Sequence, residues 1–375
     1  MRTLVLIFVL FAGVYTTLSQ TAHERAGQIG VGMNLTYLDN WWLGTKEKGY
    51  GDFTSLEAAK KKEVEFANIA RAGFRTVRIP INFGVWASNE KPYRWTSPEG
   101  PEIADRFVKA ALAAGLIAIV DLHHVETDRS IKGADSTGRL VWLWKEIASR
   151  YKGLDAERVF FEIRNEPHDI EAIAWRKQVE ALIKAIREVA PMHTLVVGFH
   201  DWNSRQAMIG SRPFDDANII YTFHYYDPFV FTHQGATWAS PGLTDLKKVP
   251  FPADGKAIKI PDKARGTWVA ERISAYREDS NAAKMFDDLR AAKDWSVKNS
   301  VPIFLGEFGS FGKNASLADR CRHAEVVYAA LGKLEIPNAW WEWDQGFNMY
   351  DEGTTSVAPC MQRAIDQFAK ARSTN

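Results

Sequence analysis

Val159-Phe160-Phe161-Glu162-Ile163-Arg164-Asn165-Glu166-Pro167 runs from apolar and β-branched side chains straight into an amide, a carboxylate and a proline. The apolar part reads as a buried strand. Its end is not core, because Asn165 and Glu166 are strongly solvated groups and Pro167 has no amide hydrogen with which to extend a ladder. Two polar groups are therefore presented where a strand stops. In a parallel β/α barrel the C-terminal ends of the strands form the reactive face.

Working outward, short β-like runs alternate with longer amphipathic ones. Eight strands are expected, at 29–34, 76–79, 117–122, 159–163, 194–198, 219–223, 303–306 and 339–343. Helical patterns fill 56–72, 102–114, 140–151, 172–189, 282–298 and 317–334. That is the rhythm of repeated βα units, and it predicts a single (β/α)8 barrel. Thr54 and Glu57 have the spacing of a capping box, and Gly73, Gly115 and Gly153 each follow a helical run where a left-handed residue stops a helix. No Gly/Ser- or Pro-rich linker divides the chain. The least regular stretch, 235–266, follows the sixth strand and is placed either to shape a cleft at the barrel mouth or to form a solvated excursion.

The chain has 375 residues, 46% hydrophobic and 25% charged, with 47 Lys and Arg against 46 Asp and Glu. This balance argues against a polyanionic partner, so nucleic-acid binding is not expected. Residues 1–20 carry Arg2, an apolar run from Leu4 to Val14 and then smaller, more polar residues, the pattern of a secretory signal peptide. No later stretch approaches a membrane span. A soluble catalytic domain over 21–375, secreted or periplasmic and monomeric, is the expectation. The two cysteines, Cys321 and Cys360, are either a pair of buried thiols or one disulfide, and the export signal favours the disulfide. The 14 tryptophans are well above ordinary usage and include the segments Trp41-Trp42 and Trp340-Trp341-Glu342-Trp343, and exposed aromatic faces stack on sugars.

A second acid stands at the end of an apolar run, in Pro302-Ile303-Phe304-Leu305-Gly306-Glu307-Phe308-Gly309. If strands four and seven carry Glu166 and Glu307 to one mouth, the two carboxyl groups are the minimum equipment of a glycoside hydrolase. One must hold a proton for the leaving oxygen while the other stays ionised, so their surroundings must differ. Arg78, at the second strand, is suited to keep a glutamate ionised. The apolar run before Glu166 is suited to keep that acid protonated. His123, His124, His224 and Tyr226 stand at further strand ends, and Trp341 lies in the eighth run.

These segments resemble glycoside hydrolase family 5, the cellulase family of clan A, from about Gly30 to Asp351, most densely at 159–168, 221–238, 303–309 and 340–351. The resemblance implies an eight-stranded β/α barrel that hydrolyses β-linked polysaccharides with retention and without a cofactor. It implies Glu166 as acid/base, Glu307 as nucleophile, Arg78 as its support, Asn165 on the sugar 2-hydroxyl and Tyr226 on the nucleophile. His123 and His224 match active-site histidines, and Trp341 matches a sugar platform. His124, His233 and Trp238 match bacterial endoglucanases with a similar His-His pair and Phe-Thr-His-Gln-Gly-Ala segment. Two features depart from the pattern: Arg164 before Asn-Glu, and Met33-Asn34-Leu35-Thr36-Tyr37 without the common following glycine.

An endo-acting retaining β-1,4-glucanase is the leading expectation, with a mannanase or mixed-linkage glucanase using the same machinery beside it. A metal-dependent hydrolase drawing on Asp121, His123, His124 and His224 lacks the usual ligand spacings, since neighbouring histidines on a strand face opposite ways. A non-catalytic sugar-binding barrel would have no need of both Glu166 and Glu307.

Overall fold

The computed structural model describes residues 20–39, 56–123 and 134–372. The proposed signal sequence, the Thr54 capping box, Trp41-Trp42 and His124 lie outside the described residues. Eight parallel strands close in sequence order: β1 Val31–Asn34, β2 Thr76–Ile81, β3 Ile117–Leu122, β4 Val159–Glu162, β5 Leu195–Val197, β6 Ile219–His224, β7 Ile303–Phe308 and β8 Asn338–Trp340, with β8 paired to β1. The eight expected strands and the barrel are therefore present.

Helices cover the outside of the barrel, including Glu99–Ala113, Ala134–Tyr151, Ala172–Arg187, Ala282–Asn299 and Leu317–Lys333. Their apolar faces bury Phe107, Trp144, Leu182, Leu289 and Val327. Every strand is buried on both faces, as a sheet enclosed by helices requires.

Side chains alternate across each strand, and this fills the barrel in layers. Ile119, Phe160, Val196, Ile220, Phe304 and Ala339 form an apolar interior cluster. Ala26 and Ile29 join the same cluster from the helix Ala22–Ile29, which therefore floors the barrel. That helix starts at a capping box, Thr21 with Glu24. Two residues further along the strands, towards the mouth, β3 and β4 place Asp121 and Glu162 in the interior instead of hydrocarbon. The layer above the apolar core is thus ionic.

Three local expectations change. β4 stops at Glu162, and Glu166 stands four residues beyond it with φ +39°. Trp341 follows β8 instead of lying within it. Gly73 and Gly115 take positive φ after their helices, at +94° and +83°, but Gly153 does not.

The excursion after β6 is tied down by its backbone. Gln234 both accepts from the Val249 amide and donates to its carbonyl, Tyr276 hydroxyl donates to the Pro250 carbonyl, and Arg322 donates to that of Phe251. Leu246, Val249 and Phe251 are buried, so this stretch is packed structure. Cys321, on the helix Leu317–Lys333, is disulfide-bonded to Cys360 on the C-terminal helix Pro359–Arg372.

Candidate active site

Arg78 is the centre of the ionic layer. Its side chain is fully buried, which works against its charge, but Asp121, Glu162 and Glu307 surround it and hold it cationic. Nε and Nη2 donate to the two oxygens of Glu162 at 2.7 and 2.8 Å. Nη2 also donates to Asn165 Oδ1 at 2.8 Å and lies 3.0 Å from Asp121 Oδ2. Nη1 donates to Glu307 Oε1 at 2.7 Å and to Asn34 Oδ1 at 3.0 Å. A guanidinium suits this duty because its planar fork serves several acceptors at fixed angles.

Glu307 lies on β7 and is buried. Its second oxygen accepts from the Tyr226 hydroxyl at 2.9 Å and lies 3.5 Å from His224 Nδ1. Burial dominates its ionisation and pushes the carboxyl up to about 7, Glu166 adding to the rise while His224, Arg78 and the Tyr226 hydrogen bond oppose it. Arg78 does lower this carboxyl, as expected, but the guanidinium is shared among three carboxyl groups and desolvation outweighs its share, so the group is not brought into the ordinary carboxylate range. The glycines around Glu307 are needed for close approach. A Cβ on Gly306 would lie 2.6 Å from Thr222 Oγ1 and 3.3 Å from His224 Nε2, and one on Gly309 would lie 2.3 Å from the Trp341 carbonyl oxygen.

Glu166 is half-buried, with Oε1 2.6 Å from His224 Nδ1. His224 is buried, and burial lowers it to about 4, so the ring is neutral at pH 7. A neutral ring has one N–H. Asn203 Nδ2 lies 3.5 Å from Nε2, an arrangement that leaves Nδ1–H to donate to Glu166. One carboxyl oxygen each from Glu166 and Glu307, with one ring nitrogen of His224, lie within 4.8 Å of one another. The positive φ of Glu166 is a strained backbone for a side chain of this size, a cost of about 1–3 kcal/mol that clusters at functional sites. The surroundings expected to be apolar are a histidine and a partly open mouth.

His123 Nδ1 lies 2.6 Å from Asp121 Oδ2, Asn165 Nδ2 lies 3.3 Å from its Nε2, and its ring stacks on half-exposed Trp341 at 5.5 Å and 14°. Arg78, His123, Asn165, Glu166, His224, Tyr226, Glu307 and Trp341 are thus brought together. His233 packs edge-on to Tyr226 at 4.9 Å and is lowered to about 3 by burial. Trp238 stands further out, 54% exposed, its ring 4.9 Å from Phe311 and 6.3 Å from Phe347.

Among the described residues, Asp121, His123 and His224 do not form a metal cluster; the grouping with ligand spacing there is Glu166, His224 and Glu307. Arg164, one departure from the family pattern, lies 5.8 Å from the Trp175 ring with Nη1 3.5 Å from Gln178 Oε1. In the other, Thr36 donates to Glu342 at 2.6 Å and Tyr37 to Asp344, so the first strand's extension is fastened to the loop after β8.

The sequence reading missed Asn34, Glu162, Asn203 and Glu342, and weighed Asp121 only as a metal ligand. For Asp121 and Glu162 the signal was present, since an ionisable residue inside an apolar strand run requires a buried partner. Asn203 gave none. It reaches His224 through three consecutive left-handed residues, Asp201, Trp202 and Asn203.

Residues 43–346 match the family described as cellulase (glycosyl hydrolase family 5). Endoglucanase 3 of Fibrobacter succinogenes is 26% identical over 365 residues, 92% of this chain, and the chain spans 54% of that protein. Endoglucanase C of Acetivibrio thermocellus is 26% identical over 83% of this chain and 91% of its own length. Among solved structures, a hyperthermophilic endo-beta-1,4-glucanase in complex with substrate superposes with a TM-score of 0.75 at 27% identity, over 92% of this chain and 99% of that one. With a closed eight-stranded barrel, two carboxyl groups at its mouth and a family match spanning most of its length, the chain belongs to glycosyl hydrolase family 5, the cellulase family, and is a glycoside hydrolase.

Proposed function

We propose that the protein is an exported endo-β-1,4-glucanase that cleaves cellulose-type glucans with retention, Glu307 attacking the anomeric carbon and Glu166 serving as acid and then base. The observation that carries this is the approach of the Glu166 and Glu307 carboxyl oxygens to within 4.8 Å. Retaining enzymes hold their carboxyl groups about 5–5.5 Å apart, whereas inversion leaves roughly 6.5–9.5 Å for a water.

In the first step the ionised Glu307 oxygen bonds to the anomeric carbon as the glycosidic bond breaks, and the Glu166 proton passes to the leaving oxygen. In the second, Glu166, now a carboxylate, takes a proton from water as that water attacks the same carbon and Glu307 departs. Arg78 and Tyr226 hold opposite oxygens of Glu307 and so fix its direction of attack. Asn165, fixed by Arg78 and His123, is placed to hydrogen-bond the sugar 2-hydroxyl, a contact that tightens as the ring flattens. His224 N–H donates to the Glu166 carboxylate and stabilises the form needed to activate water.

Endo action and the glucan substrate are supported by the relatives, named endoglucanases. Thermotoga maritima Cel5A, 28% identical, has been solved with both mannotriose and cellobiose, so mannan belongs in the test. Export is supported by the signal-like first 20 residues and the disulfide. Removal of that segment would leave the Thr21 cap and the flooring helix intact. The protein is to be incubated with a cellulose derivative, mixed-linkage glucan, xyloglucan, mannan and xylan, with products sized and their first-formed anomer read by NMR. Short β-1,4-gluco-oligomers of retained configuration are expected. No release from any polymer overturns the activity, and inverted products overturn the mechanism.

A further inference from the structure

Three carboxyl groups share the one guanidinium of Arg78, and only Glu307 among them is assigned chemistry. Glu162 is fully buried on β4, and both its oxygens are engaged by Nε and Nη2. This paired fork fixes the guanidinium plane and leaves Nη1 aimed at Glu307 and Asn34. Asp121, equally buried, takes a further share of the charge at 3.0 Å from Nη2. We propose that Glu162 is a positioning residue for Glu307 that acts through Arg78: it sets the guanidinium plane and, with Asp121, takes up positive charge that would otherwise hold Glu307 as an inert, strongly neutralised ion. This rests on the reading of Glu307 as nucleophile.

The physical logic concerns nucleophile strength. A carboxylate clamped by an undivided guanidinium ionises easily but is a poor nucleophile, because its lone pairs are held. Dividing Arg78 among three acids leaves Glu307 aimed but basic. Every charged or titratable group facing Glu307 bears on this balance: Arg78 from β2, Asp121 with His123 from β3, Glu162 from β4, Glu166 from the turn after it, and His224 and Tyr226 from the β6 end. Asn34 on β1 adds only a neutral acceptor, and Glu342 after β8 faces Thr36 and the Phe347 amide instead.

The test is the rate of inactivation by a 2-fluoro glucoside with an activated aryl leaving group, followed against pH, with the labelled peptide identified. The wild-type acid limb is expected well above the ordinary glutamate value of about 4.3. Glu162→Gln removes a negative charge from beside Arg78, which favours ionised Glu307, so the limb moves down by about one pH unit. The turnover number on an aryl cellobioside falls about tenfold with KM within about twofold, the split expected of an interaction felt in the transition state. Glu162→Asp keeps the charge but withdraws the fork, so the limb stays near wild type while turnover still falls.

Asp121→Asn moves the limb in the same direction and decides the matter if Glu162→Gln does not fold. A wild-type limb near pH 4, or a limb unmoved in the folded variants, overturns the proposal. A label on a residue other than Glu307 is a separate failure, that of the nucleophile assignment itself.

Discussion

At the scale of single residues, Glu166 and Glu307 differ in ways that mutation can separate. Glu307 is buried with two donors fixed on it, whereas Glu166 is half-buried at the mouth with one histidine beside it. Glu166→Ala should still be glycosylated by a substrate with an activated aryl leaving group, because that departure needs little protonation. Its hydrolysis of the intermediate should slow by about 10²–10⁴. Glu307→Ala should form no adduct with any substrate. Mass spectrometry of quenched reactions reads both outcomes, and an adduct on Glu166 would reverse the roles. Trp341 is also testable by side-chain removal. Its half-exposed ring stacks on His123, so one face is held by protein, and the proposed function gives the ring to sugar. Trp341→Ala should lower turnover and raise KM, about tenfold in kcat/KM, with a melting temperature close to wild type. Full activity in a destabilised variant would assign the ring to packing.

At the scale of elements, the strand count was legible because each strand is a buried apolar run between polar helical patterns, and the barrel followed from their alternation. The mouth was legible for the same reason: Asn165, Glu166, His224 and Glu307 are polar groups where hydrocarbon stops. The ionic layer was legible only as a need for some buried partner, because the partner that Asp121 and Glu162 share, Arg78, stands on β2, 43 and 84 residues earlier in the chain. Asn203 was illegible in principle, since its approach to His224 depends on a left-handed turn that no hydrophobic pattern encodes. The disulfide belongs to this scale too. It joins the helix Leu317–Lys333 to the C-terminal helix across 39 residues. The chain-entropy relation gives about 4 kcal/mol for a loop of this length. Cys321→Ser should therefore lower unfolding free energy by an amount of that order while leaving kcat unchanged, because the bond lies on the outer helices. Chemical denaturation with parallel activity assays checks it, and a wild-type protein with two thiols reactive after denaturation without reductant would refute the bond.

At the scale of the whole molecule, buried titratable groups predict how stability depends on pH. Burial lowers four histidines, His193, His224 and His323 to about 4 and His233 to about 3, against 6.5 when unfolded. Burial raises Glu307 to about 7 and Glu342 to about 8, against 4.5, and also raises Glu162, Asp227 and Asp344. Below pH 6.5 the unfolded chain takes up protons on the histidines that the folded protein refuses, so stability falls with acid. The glutamates act oppositely: their contribution is complete below pH 4.5 and is lost as pH rises through 7 and 8. Between 6.5 and 4.5 the two sets oppose each other, each histidine held neutral contributing a loss of about 1.4 kcal/mol per pH unit on acidification in the middle of the window. From 6.5 to 8 the raised carboxyl groups change, and their contribution declines as pH rises. His323, packed between Phe231 and Phe251, can be replaced by Phe to remove about one proton from the acid slope. Glu342→Gln should flatten the alkaline side by a similar amount while leaving the acid side steeper. Calorimetry in buffers of matched ionic strength measures both slopes. If His323→Phe leaves the acid slope unchanged, that buried histidine is not held neutral by the fold.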